Sequence, residues 1–308
     1  MDEIITLKNG GYTAKINASK GANCFSLTND KYNASILREP NYSKPLDNPF
    51  LYGAPILFPQ NRISGGKFEF EGRVYDFGIN EENTNCYIHG ALHDTPFTLV
   101  ERRDDFARFV FKNDGTYVGY RDKFVITLSY LLDENGLETE CKIDNLSPNN
   151  LPVLLGFHTT FSLPFIKSSS KQDVKIRVDI GDEIERNMQV YLPTGKILDY
   201  DDVSMALKQG EFVSTTPISR HYKIDANGLI ALYDTSKDVT LVYENDEKYK
   251  FRLVYNGNAN DYICIEPQTG MANSPNSPFD RNYAGFTFIK SGASETYKSK
   301  IYIKEGKI

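Results

Sequence analysis

The sequence predicts a mainly β protein in which antiparallel strands form a large β-sandwich. Three observations support this fold class: apolar and polar residues alternate with a period of two, turn residues separate the alternating segments, and helical spacing is nearly absent. The alternating segments are rich in Tyr and Phe, which favour strands. Many short strands of this kind are typical of two sheets packed on a shared core.

The predicted strands begin near the N-terminus and continue to the end of the chain. Residues 12–16 alternate after an Asn-Gly turn, and residues 68–70 face residues 74–77 across a Glu-Gly turn, so both segments are predicted hairpins. The clearest hairpin alternates over residues 124–132 and returns through residues 137–143. Further alternating runs cover residues 174–180, 229–233, 239–243, 251–255, 285–288 and 297–303.

Helical structure is predicted in two places only. Residues 202–208 have helical spacing and begin at Asp202, an acidic residue of the kind that caps helices, and residues 34–38 are predicted as a helical turn. The chain contains no linker rich in Gly, Ser or Pro and no convincing repeat. We therefore expect residues 1–308 to form a single domain.

Composition and charge exclude several classes of protein. With 40% hydrophobic and 25% charged residues, the chain has the make-up of a globular protein rather than a disordered one. Its formal net charge of -6 argues against nucleic acid or an anionic membrane as a partner. The N-terminus lacks a basic start and an apolar run, and the four cysteines form no Cys-x-x-Cys pair, so we expect a cytoplasmic protein with reduced thiols.

Three ionisable residues lie in apolar, strand-like segments, where a titratable group is costly unless it is paired. His158 lies within the run of residues 151–163, His89 ends an apolar tetrad, and Glu266 follows Tyr-Ile-Cys-Ile. Because proline stops ladder pairing, Glu266 is predicted to emerge at the rim of the sandwich, just before Pro267. Together, one carboxylate and two imidazoles in one cleft would form an acid/base set.

Other polar residues have a structural and a functional interpretation. Arg62 projects from an irregular loop at residues 53–66, where it either donates a forked pair of hydrogen bonds to a ligand or ties two loops together. His93 and His221 lie in polar surroundings and are predicted to be exposed. The wide sequence separation of His89, His158 and Glu266 gives no compact ligand pattern, so no metal site is predicted.

Four short motifs resemble the ordered signature of the aldose 1-epimerases, or galactose mutarotases. They are Asn-Arg-Ile at residues 61–63, Ile-His-Gly at 88–90, Gly-Phe-His-Thr-Thr-Phe-Ser-Leu at 156–163 and Ile-Glu-Pro-Gln-Thr at 265–269. The resemblance runs from about residue 50 to the C-terminus. It implies the galactose mutarotase-like supersandwich, which agrees with the sandwich predicted from periodicity.

The resemblance also implies roles for the matching residues. Glu266 would take the proton from the anomeric hydroxyl of a hexose, His158 would protonate the ring oxygen, and His89 would position that oxygen. Arg62, Asn61 and Gln268, together with Asp202 or its neighbour Asp201, would bind the substrate. The implied enzyme interconverts the α and β anomers of a free hexose such as galactose or glucose. It needs no cofactor and acts as a monomer or homodimer.

Two departures from the family pattern bear on the substrate. Many relatives continue His-Gly with an aromatic residue, a small residue and an arginine, whereas this chain has Ala-Leu-His-Asp at residues 91–94, ending in an acid. A phosphorylated sugar, which requires Arg or Lys donors, is therefore disfavoured, although His93 could reach a ligand. The chain also lacks tryptophan, which is common in the sugar sites of relatives.

Two alternative functions belong to different classes. A carbohydrate-binding or sensing protein would keep the cleft but need no acid/base pair. An epimerase for a phosphosugar or an oligosaccharide end would need a basic cluster lining the cleft. Aromatic rings near the motifs, at Phe58, Tyr87 and Phe161, could pack on a sugar, although core packing is their more common role.

Overall fold

A computed structural model describes residues 3–41, 46, 48–225 and 228–308, and strands dominate it. The strands of the first half are β1 (Ile4–Asn9), β2 (Tyr12–Asn17), β3 (Asn23–Asn29), β4 (Ala34–Ser35), β5 (Ile56–Leu57), β6 (Arg62–Ser64), β7 (Lys67–Phe70), β8 (Arg73–Asp76), β9 (Cys86–Ile88), β10 (Thr98–Arg102), β11 (Phe106–Asn113), β12 (Phe124–Asp133), β13 (Gly136–Asn145) and β14 (Leu151–Val153).

The second half continues the same architecture. Its strands are β15 (Gly156–Phe157), β16 (Thr160–Ser162), β17 (Val174–Val178), β18 (Glu183–Asn187), β19 (Leu192–Leu198), β20 (Phe212–Val213), β21 (Ser219–Lys223), β22 (Ile230–Asp234), β23 (Val239–Asn245), β24 (Phe251–Tyr255), β25 (Tyr262–Gln268), β26 (Thr287–Ile289) and β27 (Ser294–Glu305). The helices of the described residues are α1 (Asp202–Gln209) and the 3₁₀ turns Pro49–Leu51, Glu82–Thr84, Leu92–Asp94, Lys171–Asp173 and Ser274–Asn276.

Two large antiparallel sheets confirm the predicted sandwich. One has nine strands in the order β10-β11-β12-β13-β27-β23-β22-β17-β20, and the other runs β19-β18-β21-β24-β25-β15-β5 with β16 also paired to β25. In the hairpin of β12 and β13, buried and partly exposed residues alternate, as the period of two predicts. One apolar cluster includes residues of both sheets, such as Leu128 and Ile265. The single-domain organisation stays a prediction.

A four-stranded sheet, β1-β2-β3-β4, covers one side of this core. The hydroxyl of Tyr130 donates to the carbonyl of Ala22, and the backbone N–H of Ile303 donates to the hydroxyl of Tyr12. The bond to Tyr12 ties strand β2 to the nine-stranded sheet, and the bond to Ala22 ties the turn before β3 to it. Among the residues that the structure describes, no helix has the length and apolar character that a membrane crossing requires.

Most of the sequence-predicted elements are confirmed, with two corrections. The helical turn expected at residues 34–38 is wrong, because Ala34 and Ser35 pair with Asn29 and Thr28 in β4. Helix α1 covers the predicted segment, but its N-cap is Asp201, whose carboxylate accepts the backbone N–H groups of Val203 and Ser204. Asp202 is therefore the first helical residue and not the cap.

Candidate active site

The three ionisable residues of the apolar segments converge in the structure. Nε2 of His158 lies 3.2 Å from Oε1 of Glu266. The ring centroids of His89 and His158 are 5.3 Å apart, with an interplanar angle of 81°. Glu266 is 0% exposed, His158 5% and His89 9%. Three segments that are distant in sequence thus form one buried cluster of a carboxylate and two imidazoles.

Glu266 lies inside strand β25 and not at the rim of the sandwich, so that expectation is wrong. The strand continues through Pro267 to Gln268, and Pro267 lies opposite Arg252 of β24. The backbone N–H groups of Ile265 and Thr269 point away from β24, toward the carbonyls of Thr159 and Leu155. The N–H that Pro267 lacks would also point away from β24, toward β15. In β15 only Gly156 is paired with β25. The missing N–H therefore leaves the ladder between β25 and β24 intact.

The alternation of β25 separates a face that carries Glu266 and Gln268 from an apolar face. Glu266 lies opposite Leu253, and residues opposite each other in an antiparallel pair project to the same side. Ile263 and Ile265 project to the other side, where they join the main apolar cluster. Glu266 and Gln268 therefore project from the face of the eight-stranded sheet that points away from this core.

The segment that carries His158 is held from two sides. The N–H of His158 donates to the carbonyl of Pro55 at 2.9 Å, and the N–H of Thr160 donates to Gly53 at 2.8 Å. On the other side, Ile265 of β25 donates to the carbonyl of Thr159. These bonds fix the imidazole beside Glu266 independently of its own side-chain contacts.

His89 is positioned by an unusual backbone conformation. Its φ of 64° lies in the left-handed region, and its N–H donates to the carbonyl of Asn61. The next residue must be glycine, because a Cβ on Gly90 would lie 2.0 Å from the carbonyl oxygen of Phe58. The Ile-His-Gly motif therefore turns the chain sharply and directs the imidazole into the cluster.

Asn61 and Gln268 form a relay of amides that ends on Glu266. Nε2 of Gln268 donates to Oε2 of Glu266 at 3.2 Å, and Nδ2 of Asn61 donates to Oε1 of Gln268 at 3.3 Å. Both amides are buried. The other oxygen of Glu266, Oε1, accepts no hydrogen bond among the described residues. The structure thus places both predicted residues at the cluster, where they orient the carboxylate.

Arg62 fits both interpretations offered by the sequence. Its Nε and Nη2 donate to the two carboxylate oxygens of Glu81 at 2.6 and 2.7 Å, and its guanidinium lies 4.6 Å from the ring centroid of Tyr191. Within the described part of the chain, Nη1 donates no hydrogen bond. Arg62 is therefore held in place by Glu81 and still has donors for a ligand.

Neither aspartate proposed for substrate binding contacts the cluster. Asp201 caps α1 and pairs with Arg220 at 2.6 Å. Asp202 is exposed in the first turn of the same helix. Their contacts favour a structural role for Asp201, and a substrate contact from Asp202 stays a prediction.

Phe50 is a residue of the site that the sequence did not reveal. Its ring centroid lies 4.6 Å from that of His89, 4.3 Å from His93 and 6.0 Å from His158. The carboxamide of Asn48 accepts the N–H of Phe50 and caps this turn. A cavity of about 260 Å³, lined in part by His93, adjoins the turn. Nothing in the sequence of this polar loop singles out Phe50.

The aromatic residues that do flank the motifs pack elsewhere. The ring of Phe58 stacks on Tyr120, Tyr87 stacks on Phe77, and Phe161 packs edge-on against Tyr243 of the nine-stranded sheet. All three are buried in the core, which is the role that the sequence favours for them.

Arg186 is a second residue that the sequence did not reveal. It lies in β18, and its Nη2 donates to the carbonyl and the hydroxyl of Ser219 at 2.5 and 3.1 Å. The positive charges of Arg186 and Arg62 both lower the pKa of Glu266. The sequence Glu-Ile-Glu-Arg-Asn of β18 is that of an ordinary polar strand, so only the fold shows which carboxylate Arg186 faces.

The prediction that His93 and His221 are exposed is wrong for both residues. His221 is 0% exposed and projects on the same side as Glu266, because Leu253 lies opposite both residues. Burial lowers its pKa to about 3, so this imidazole is neutral. His93 is half-buried, with its pKa lowered by burial.

Burial governs the proton distribution of the central pair. It raises the pKa of Glu266 to about 8, although the hydrogen bond from Gln268 and the two arginines oppose the rise. Burial lowers the pKa of His158 to about 4 and holds the pKa of His89 well below its usual range. At neutral pH the pair holds one proton, on Glu266. The roles that the family resemblance implies require an ionised Glu266 and a charged His158 for ring opening. Here the proton lies on Glu266 instead, because burial outweighs the attraction between the two groups.

The described residues contain no group of three or more His, Cys, Asp or Glu side chains placed to hold a metal. What the arrangement offers chemically is a carboxylate oxygen and an imidazole nitrogen 3.2 Å apart, each of which can give or take a proton. Amide and guanidinium donors surround this pair.

Comparison with known proteins agrees with this fold. A galactose mutarotase-like protein from Clostridium acetobutylicum is similar to the chain with a TM-score of 0.92 and 30% identity, covering 99% of this chain and 96% of that one. The protein YihR of Escherichia coli is 24% identical over 90% of this chain and 87% of its own length.

The bifunctional protein gal10 of Schizosaccharomyces pombe is 23% identical over 85% of this chain. The matched part is 38% of that relative, so the chain spans well under half of its length. The family model described as aldose 1-epimerase matches residues 3–303, which is nearly the whole chain. On this match, and on the likeness to the clostridial protein, the chain belongs to the aldose 1-epimerase family.

Proposed function

We propose that this protein interconverts the α and β anomers of an aldose by acid/base ring opening and closure. The observation that carries the proposal is the 3.2 Å approach of Glu266 and His158 in a buried cluster beside His89. A structural carboxylate would be fully hydrogen-bonded, whereas Oε1 of Glu266 is not. Family membership supports the same reaction class.

The proton count of the pair suits this reaction in both directions. For ring opening, the carboxylate of Glu266 takes the proton of the anomeric hydroxyl while the imidazolium of His158 gives a proton to the ring oxygen. The open-chain aldehyde then faces a protonated Glu266 and a neutral His158. Rotation about the C1–C2 bond exposes the other carbonyl face, and the reversed transfers close the ring as the other anomer.

The resting proton distribution matches the ring-closing half of this cycle. Ring opening requires the same single proton on His158 instead of Glu266, and the two atoms are close enough for that exchange. His89, uncharged because burial lowers its pKa, is proposed to position the ring oxygen. Arg62 is proposed to bind sugar hydroxyls through its remaining donors. The proposed substrate is a hexose such as galactose or glucose. The protein is proposed to act as a monomer or a homodimer.

Mutarotation can be measured by exchange NMR between the anomers of galactose and of glucose. We expect acceleration over the spontaneous rate and a bell-shaped pH profile with limbs near pH 4 and 8, because the pair must hold one proton. Glu266→Gln should lower kcat/KM by roughly 10²–10⁴, the usual contribution of a positioned acid or base.

The matched control is Glu138→Gln, which changes an exposed glutamate of β13 paired with Lys300. It should leave the rate unchanged. If Glu266→Gln binds the sugar and interconverts its anomers at the wild-type rate, Glu266 is not the base. Binding without any acceleration by the wild-type protein would favour a sugar-sensing role.

A further inference from the structure

Arg186 is a cation of the site that has no carboxylate partner. No Asp or Glu oxygen of the described residues lies within 4 Å of its guanidinium, and its hydrogen bonds go to the neutral oxygens of Ser219. Arg62, by contrast, is neutralised by Glu81 at 2.6 Å. A partly buried guanidinium without a counter-ion is costly, since charges removed from water are normally paired.

The register of the sheet places Arg186 on the same side as Glu266. Its guanidinium contacts the hydroxyl of Ser219, which projects with His221 because the two are two residues apart in β21. His221 lies opposite Leu253, and Leu253 lies opposite Glu266. The side chains of β18, β21, β24 and β25 thus form one face, with Arg186 at one end and Glu266 at the other.

The charges on this face do not balance at neutral pH. The pKa of Arg186 is lowered to about 10, mainly by burial and then by the positive charge of the nearby Arg62. Glu81 balances one of them. Glu266 holds a proton below about pH 8, and the nearby Glu183 is already paired with Arg220 at 2.9 Å. Among the residues that the structure describes, one positive charge therefore remains in the site.

We propose, on the basis of the proposed mutarotase function, that Arg186 binds an acidic substituent of the substrate and makes this site selective for anionic aldoses. The ligand chemistry is a pyranose that carries a carboxylate or a phosphate. Nε and Nη1 of Arg186 donate no hydrogen bond among the described residues, so its fork can receive two oxygens of such a group. The sequence lacks the arginine that many relatives carry three residues after the glycine of His-Gly, and β18 supplies a guanidinium from another direction.

The test compares matched pairs of sugars with the wild-type chain. Anomer exchange is measured for galactose against galacturonate and galactose 6-phosphate, and for glucose against glucuronate and glucose 6-phosphate. We expect kcat/KM to be at least tenfold higher for an anionic sugar than for its neutral parent. Comparison of the uronates with the 6-phosphates identifies whether a carboxylate or a phosphate is bound. Equal or faster turnover of the neutral parents overturns the inference and leaves the proposed function standing.

Variants assign the selectivity to Arg186. Arg186→Met should lower the ratio of kcat/KM for anionic over neutral sugar at least tenfold, and Arg186→Lys, which keeps the charge without the fork, should lower it less. Arg177→Met, which removes an arginine of β17 paired with Asp179, should leave the ratio unchanged. Loss of both activities in equal proportion in Arg186→Met and in Arg186→Lys would contradict the assignment.

Failure of the proposed function gives a different result. If no sugar is turned over, the mutarotase proposal fails, and titration calorimetry with the same sugars decides the selectivity of the site. Binding of an anionic sugar at least tenfold tighter than its neutral parent, lost in Arg186→Met, would support the role of Arg186. Equal binding of both would refute it.

Discussion

Two buried carboxylates of this protein, Asp122 and Glu266, have contrasting surroundings. Asp122 is 4% exposed and accepts hydrogen bonds from Arg73 at 2.6 Å, Tyr75 at 2.9 Å and Ser147 at 3.1 Å. Glu266 is fully buried but accepts a single hydrogen bond from the described residues, donated by an amide, and its second oxygen faces an imidazole. Both carboxylates are desolvated, but only Asp122 is compensated. The contrast separates a carboxylate that stabilises the fold from one that remains available for proton transfer.

The sharpest test of this contrast exchanges each carboxylate for its amide. Asp122→Asn should lower the free energy of unfolding by roughly 1–3 kcal/mol, because donors that bind a buried carboxylate lose their acceptor. The folded fraction should keep its mutarotase activity. Glu266→Gln should do the reverse, losing activity while keeping its stability at neutral pH. Denaturant unfolding and exchange NMR on both variants measure the two effects, and parallel losses in both variants would erase the distinction.

The pH dependence of stability gives the next largest effect. Between pH 6.5 and 8 the folded state keeps the proton of Glu266 while the unfolded chain has lost it, so stability falls as pH rises. The lowered pKa of His158 acts in the opposite sense, but only below 6.5. The loss from pH 6.5 to 8 is about 2 kcal/mol, since one pKa unit corresponds to about 1.4 kcal/mol.

Urea unfolding at both pH values, with Glu266→Gln as the control, measures this loss. The variant has no group that titrates at this position, so its stability should change less over the same interval. A wild-type protein with constant stability from pH 6.5 to 8 would show that Glu266 is ionised when buried.

Gln268→Met is expected to move the alkaline limb of the activity profile. The amide of Gln268 donates to Glu266 and lowers the pKa of its carboxyl. Loss of the donor should therefore move the alkaline limb to higher pH. The shift should be roughly one pH unit, because a hydrogen bond to a charged group contributes roughly 1.5 kcal/mol. A profile that moves downward would mean that Gln268 stabilises the protonated form. Gln172→Met, at an exposed turn, is the matched control.

Phe50→Ala should have the smallest effect. Removal of the ring exposes His89 and His158 to water, which weakens the desolvation that lowers their pKa values. The acidic limb should therefore move up, with a change in kcat of only a few-fold. Phe288→Ala, at an aromatic residue 40% exposed in β26, should leave the pH profile unaltered. An unchanged acidic limb in Phe50→Ala would show that the ring does not shield the imidazoles.

The sequence revealed those parts of the fold and site that depend on local pattern. Alternation predicted the β12–β13 hairpin, and an ionisable residue in an apolar run marked Glu266, His158 and His89. The placement of Glu266 at a rim was wrong because the effect of Pro267 depends on which neighbouring strand its missing N–H would face. Local sequence does not contain that information.

The residues that escaped prediction reach the site through long-range register. Arg186 lies on the face of the site because β18 is connected to β25 through β21 and β24. Phe50 lies at the site because its backbone carbonyl accepts a hydrogen bond from the hydroxyl of Thr160 at 3.5 Å. Neither segment has a hydrophobic pattern or motif that marks its destination. Only the pairing of distant strands brings them to the histidines.

The opposite-facing neighbours Glu266 and Pro267 make this site intolerant of a change in strand length. A one-residue insertion between Tyr262 and Ile265 that shifts the ladder with β24 would rotate the carboxylate into the apolar layer between the sheets and turn an isoleucine outward. A substitution near the site changes one side chain and leaves the strand register as it is. A single-codon insertion here would remove the base and bury a charge at once, so natural length variation should concentrate in the connecting loops.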